Sequence, residues 1–190
     1  MATINTYISM LRGINVSGQK MIKMIELKAL YESLRLTNVA TYIQSGNVVF
    51  QSKSNDPISL GTSIEKAIEK TFGFAVSVVL RRPSDFRRII NKCPFSQIEM
   101  ADERRLCVVV LKSQPASSHI KAMRAAAAKS EDRYAIAGNE IYLYCPNGFG
   151  KTLLSNTFFE KQLKVTATSR NWRTVQALLA MSAALEQPDA

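Results

Sequence analysis

The sequence predicts an α+β protein made of two ferredoxin-like βαββαβ units related by duplication, with antiparallel sheets and helices packed on them. Three observations lead there. Short β-rich runs alternate with helical stretches in the order βαββαβα, the same order starts again at Leu106, and blocks of the two halves align with one another. The units are expected at residues 1–92 and 105–190, as two domains or packed into one compact domain.

Ile4 to Leu11 reads as the first strand, and Arg12 to Lys20, with two glycines, as a loop. A helix follows, because Ile25, Leu27, Leu30, Tyr31 and Leu34 keep roughly three-to-four spacing while Glu26, Lys28 and Glu32 are left for solvent. Val39 to Ile43 and Val48 to Phe50 flank Gln44-Ser45-Gly46-Asn47, where Gly46-Asn47 suits a tight hairpin turn. The next helix runs from about Leu60 to Phe72 and is stopped by Gly73. Ala75 to Leu80 is a continuous apolar strand, and Pro83 opens a helix through Asn91, since the first helical position has no use for an N–H.

A break spans Lys92 to Arg104 and contains Pro94. The second half then reads as a strand from Leu106 to Leu111, a helix from Ser117 to Lys129, and strands Tyr134 to Ala137 and Glu140 to Cys145 around Gly138-Asn139. Thr152 to Leu163 is predicted helical, Val165 to Ser169 β-like, and Asn171 to Leu185 a helix capped by Asn171. Tyr42 to Asn47 lies against Tyr134 to Asn139 without a gap, Glu69-Lys70 faces Glu160-Lys161, and Arg81, Ile89 and Ile90 line up with Arg170, Leu178 and Leu179. The alternative to duplication is convergence on one supersecondary pattern.

Lys and Arg total 25 against 15 Asp and Glu, a formal charge of +10, so an anionic partner fits better than a cationic one. Met1 to Met10 lacks the features of a secretory signal and no apolar run approaches the ~20 residues needed to span a bilayer. The expectation is therefore a cytoplasmic protein without a membrane partner. Cys93, Cys107 and Cys145 are widely spaced, which indicates neither a disulfide framework nor a zinc ribbon; reduced, structural thiols are expected. His119 is the only histidine, so His-rich metal sites are excluded, no cofactor is indicated, and a catalytic triad would depend on that one ring. Its place ahead of an Ala-rich helical stretch suits a surface or first-turn position.

The split-βαβ topology fixes which loops meet. Right-handed crossovers make the first two strands of a unit run the same way, so the loop after the first strand and the hairpin tip emerge at one end of the sheet. In the first unit this gathers Arg12 and Asn15 with Gln44, Ser45 and Asn47, a fork-shaped cation among small polar groups and flexible glycines that suits a phosphate or carboxylate. The competing reading is an ordinary loop with Arg12 in an ion pair. At the other end of the second unit, Asn147 to Thr152 is expected near Arg170, Asn171 and Trp172, where a guanidinium and an indole at a helix start could hold a phosphate and stack a base. The structural alternative has Asn171 capping the helix, Trp172 packing on the sheet and Arg170 paired with an acid.

Gly148-Phe149-Gly150-Lys151-Thr152 ends like a phosphate-binding loop, but Cys145 stands where its first glycine belongs, so only an anion contact by Lys151 at the helix start is retained. Arg81-Arg82, Arg87-Arg88 and Arg104-Arg105 are the densest basic spots in an otherwise dispersed charge, and no RNA-recognition string occupies the third strands.

Leu-Arg-Gly-Ile-Asn-Val at 11–16, Tyr-Ile-Gln-Ser-Gly-Asn-Val-Val-Phe at 42–50, Phe72-Gly73-Phe74, Pro94-Phe95 and Thr168-Ser169-Arg170-Asn171-Trp172 occur together. With these strings the chain resembles, over nearly its whole length, the bacterial family called domain of unknown function 1697. The resemblance implies an α+β fold of ferredoxin-like units and a soluble protein without an assigned biochemical role. Ser17 stands where that family's pattern more often has glycine.

The leading functional expectation is a non-catalytic binding module for an anionic ligand, nucleotide or nucleic acid. An enzyme acting on a phosphorylated or carboxylated small molecule is the alternative, with Arg12 and Arg170 stabilising charge and Ser45 or a carboxylate as nucleophile or base. An interaction or assembly protein is the third. No general base is legible in the sequence.

Overall fold

The computed structural model describes residues 4–95 and 102–186; part of the Lys92 to Arg104 break and the chain ends lie outside the described residues. The chain divides into two compact units, one of Met1–Arg88 with Ala177–Ala190 and the other of Ile89–Gln176.

The first unit holds β1 (Asn5–Leu11), α1 (Met24–Ser33), β2 (Thr37–Tyr42), β3 (Asn47–Ser52), α2 (Pro57–Phe72), β4 (Val78–Arg81) and most of α3 (Pro83–Asn91). Its four-stranded sheet has the order β2-β3-β1-β4, every neighbouring pair antiparallel. This is the strand order of a split βαβ unit, as the sequence predicts. Asp56 caps α2 by accepting from Ile58 N at 2.9 Å and Ser59 N at 3.3 Å, with Pro57 in the first turn, so the helix starts earlier than its apolar periodicity suggests. Gly73 ends it with φ 80°, a left-handed cap that glycine adopts without strain.

One face of the sheet packs Tyr7, Leu11, Val48, Phe50, Val78 and Leu80 against Leu27, Leu30 and Tyr31 of α1 and Ile64 and Ile68 of α2. Phe50 is the hub, stacked on Tyr7 with centroids 5.7 Å apart and edge-on to Tyr31 at 5.3 Å. Burial pushes the Tyr31 phenol well above its usual range, and its hydroxyl shares a 2.7 Å hydrogen bond with Ser9. Ile8, Met10, Val49 and Val79, on alternate positions, are buried as well. Val48 to Phe50 and Val78 to Leu80 therefore read as unbroken apolar runs, and Tyr7 to Leu11 is interrupted only by the buried Ser9, the pattern of a sheet covered on both faces. Ile25, expected on the inward face of α1, is 76% exposed; Leu27, Leu30 and Tyr31 are sufficient to seat that short helix.

The second unit holds a 3-10 turn (Glu103–Arg105), β5 (Leu106–Leu111), α4 (Ser117–Ala127), β6 (Arg133–Ala137), β7 (Glu140–Tyr144), α5 (Asn156–Leu163), β8 (Ala167–Asn171) and the start of α6 (Trp172–Glu186). The order β6-β7-β5-β8 repeats that of the first sheet. Its core joins Val109, Leu111, Ile141, Leu143 and Ala167 to Met123, Phe159 and Leu163. His119 lies in the first turn of α4, half-buried.

The repeat extends to individual bonds. Leu11 N donates to Gly46 O at 2.8 Å and Leu111 N to Asn139 O at 2.8 Å; Arg12 N donates to Ser77 O at 2.9 Å and Lys112 N to Thr166 O at 2.9 Å. The fourth strand of each unit opens on a main-chain N–H given to a helix glutamate, Val78 to Glu65 Oε1 at 2.6 Å and Ala167 to Glu160 Oε1 at 3.1 Å. Arg81 opposes Ile8 as Arg170 opposes Val108, which bears out that part of the alignment. The gapless alignment of the hairpins is corrected. Met10 pairs with Asn47 and Val110 with Glu140, so Asn47 corresponds to Glu140 and the longer turn, Ile43 to Gly46, belongs to the first unit.

Candidate functional site

Because β1 and β2 run the same way, the loop after β1 and the β2–β3 tip share one end of the first sheet, and Asn15 holds them together. Its side-chain amide donates to Ile22 O at 2.9 Å and to Gln44 O at 2.8 Å, while its Oδ1 accepts from Ile22 N at 2.8 Å. Both hydrogens of that amide are thus committed to the scaffold. The loop is wound tightly, with positive φ at Gly13 (66°), Asn15 (54°), Ser17 (51°), Gly18 (73°) and Lys20 (46°). Ser17 therefore occupies a left-handed position that favours glycine.

Asn47, expected to face a ligand, is fully buried and donates to Tyr42 O and Ser45 Oγ, each at 3.0 Å. It locks the hairpin from inside as the first residue of β3, not as the tip of the turn. Gly46 carries the turn at φ 73°, pressed so close that an added Cβ would lie 2.7 Å from Ile14 Cδ1 and 2.8 Å from Leu11 Cβ. Gln44 stays exposed, and Ser45 half-buried, at the tip.

Arg12 leaves the sheet as β1 ends and lines a cleft of about 370 Å³ with Lys20, Glu65, Lys66 and Glu69. Lys20 is steadied by donating from Nζ to Ala75 O at 2.7 Å. Sequence reading isolates Arg12 and misses the other four. The available signal was the spacing of Thr62, Glu65, Lys66 and Glu69, which places them along one stripe of α2.

The second cluster is arranged differently. Strand β8 continues through Arg170, whose guanidinium is buried and donates to Thr168 Oγ1 and Ser169 O, each at 2.8 Å. Trp172 is 1% exposed, and its Nε1 has no hydrogen-bond partner among the described residues. Asn171 is exposed and caps α6, its Oδ1 accepting from Thr174 N at 2.8 Å. Two of the three side chains are therefore enclosed in the fold.

Helix α5 starts at Asn156 rather than Thr152, because Ser155 is its cap and accepts from Phe158 N at 3.2 Å. Lys151 is exposed in the preceding turn, with its N–H on Gly148 O at 3.1 Å, and so is not at a helix start. Thr152 belongs to a structural network: its hydroxyl donates to Asp132 Oδ2 at 2.5 Å, and Ser130 Oγ donates to the same oxygen at 2.8 Å. Beneath that network lies Cys145, a free thiol that burial pushes up to about 12. Cys107 is likewise free, buried and raised by desolvation. Neither has the lowered pKa of a nucleophilic cysteine.

Fold and loops together define an α+β protein of two ferredoxin-like repeats with polar loops at the sheet ends. The chain belongs to the family described as Protein of unknown function (DUF1697), whose model matches residues 4–142. It is similar in structure to the conserved bacterial protein SP0830 from Streptococcus pneumoniae, with a TM-score of 0.70 and 22% identity, covering 94% of this chain and 99% of that one. That likeness carries the fold. Comparison with curated proteins gives no match.

Proposed function

We propose that this protein is a non-catalytic binding module for a small phosphate-bearing ligand such as a mononucleotide, held in the cleft of Arg12, Lys20 and Lys66. The observation that supports the reading is the convergence of these three cations, from a loop tied down by Asn15 and from the facing helix α2, against the two carboxylates Glu65 and Glu69. A guanidinium supplies a planar fork and the two ammonium groups supply point charges, that of Lys20 steadied on Ala75 O, a combination suited to a phosphate. The cleft is bounded, at about 370 Å³, which favours a small molecule over an extended polymer. Basic residues elsewhere are dispersed, so a continuous track for nucleic acid has less support.

Titration with mononucleotides and inorganic phosphate at low ionic strength, followed by backbone amide NMR, tests this. Shifts confined to Arg12, Lys20 and Lys66 and lost in Arg12→Gln are the expected outcome. Equal shifts in the variant, or no shifts at millimolar ligand, reject the assignment, and tighter binding of short RNA than of mononucleotide replaces it with a nucleic-acid reading.

A further inference from the structure

At the opposite end of the first unit, where β1 begins and β4 ends, a second and larger cleft opens, of about 590 Å³. Thr6, Gln51, Arg82 and Ser84 are among its polar lining, and Ile4 and Leu185 among its apolar lining.

Arg82 is the distinctive group. It is half-buried, its guanidinium lying 5.6 Å from the Tyr7 ring centroid and donating to Asn5 Oδ1 at 3.3 Å, Asn55 Oδ1 at 2.6 Å and Asn55 O at 3.4 Å. These partners are neutral oxygens. Among the described residues no carboxylate forms an ion pair with its guanidinium, the Asp85 carboxylate accepting only from the Arg82 main-chain N–H at 3.0 Å, whereas Arg87, Arg88, Arg104 and Arg105 each have one. A guanidinium has five N–H donors, so one oriented by neutral groups in a half-open cleft keeps donors and an unanswered charge with which to receive an anion. Ser84, exposed in the first turn of α3, lines the same cleft and adds a hydroxyl to it.

The remaining lining narrows the class. Among the described residues Arg82 is the one cation lining this cleft, and Glu186, paired with Arg87, also lines it. The lining therefore carries no surplus of positive charge, unlike the three cations against two carboxylates around Arg12, and suits a singly charged group better than a doubly charged phosphate. The guanidinium can donate to a carboxylate, and Ile4, of which 55% is exposed, offers contact to an apolar body with half-buried Leu185. We infer that this cleft binds a small monocarboxylate with an apolar body, its carboxylate on Arg82 and Ser84. The site is separate from the Arg12 cleft and does not rest on it.

The experiment titrates the whole protein with 4-methylpentanoate, its uncharged amide and inorganic phosphate, reading backbone amide shifts and calorimetric affinity. Saturable shifts at Thr6, Gln51 and Ser84 with the acid, and little with amide or phosphate, are expected. Arg82→Gln should weaken the acid by at least about tenfold, the loss of a charge-assisted pair. Since Arg82 also packs on Tyr7, Ser84→Glu serves as a second variant: a first-turn acid is compatible with α3 yet repels the carboxylate, and should weaken binding by a similar factor. Lys66→Gln should leave the affinity unchanged. Absence of binding, equal binding of amide or phosphate, or wild-type affinity in Ser84→Glu overturns the inference.

Discussion

The side-chain amide of Asn15 donates to the main-chain carbonyl of Gln44 at 2.8 Å, so a single residue joins the loop after the first strand to the tip of the following hairpin. With its two bonds to Ile22, it ties the loop after β1 to itself and to the hairpin at the candidate end of the first unit.

Asn15→Ala removes three hydrogen bonds and places a methyl-bearing residue at φ 54°. The expected loss is about 2–4 kcal/mol in urea unfolding. Asn15→Gly relieves the backbone strain but not the lost bonds, and should recover about 1 kcal/mol of it.

Gly46→Ala meets both objections at once, a positive φ and an overpacked Cβ against Ile14 and Leu11. A destabilisation of about 2–4 kcal/mol is expected, read as a lowered thermal midpoint. Gly73→Ala has the same φ problem, at 80°, but open space around the new carbon, and should cost only about 1 kcal/mol.

Lys164 ends α5 at φ 59°, where Gly73 ends α2. Lys164→Gly is therefore expected to raise stability by up to about 1 kcal/mol, relief at the cap exceeding the added chain entropy; equilibrium denaturation reads the sign directly.

The Cys145 thiol is held up to about 12 from an ordinary 9.0. Above pH 9 the unfolded thiol ionises while the folded one keeps its proton, so the unfolded chain gains and stability falls as pH rises towards 12. Cys145→Ala should flatten part of that alkaline decline, seen in denaturation midpoints between pH 8 and pH 11, roughly one and two units either side of the thiol's ordinary value. In the intact protein at pH 8 an alkylating reagent should leave Cys145 unmodified until denaturant is added.

Arg12→Gln with Lys66→Gln should reduce mononucleotide affinity by about tenfold or more at low salt, with a smaller difference at high salt because added ions screen the same charges.

The sequence by itself determined the element order, the two repeats and the meeting of the Arg12 loop with the hairpin tip. Each follows from local patterning and chain handedness, which act wherever apolar spacing is regular. It also identified Asn171 as a cap, because capping is decided by the few residues after it. It could not separate side chains that face a ligand from those that hold the scaffold. Asn47, Arg170 and Trp172 have the chemistry of a binding site, yet tertiary packing encloses all three. Lys20, Lys66 and Arg82 look like ordinary surface cations until folding brings them to concave surfaces. Burial depends on segments distant along the chain, so the chemistry of a residue type is written locally, while its access to solvent and to a partner is set only when those segments pack.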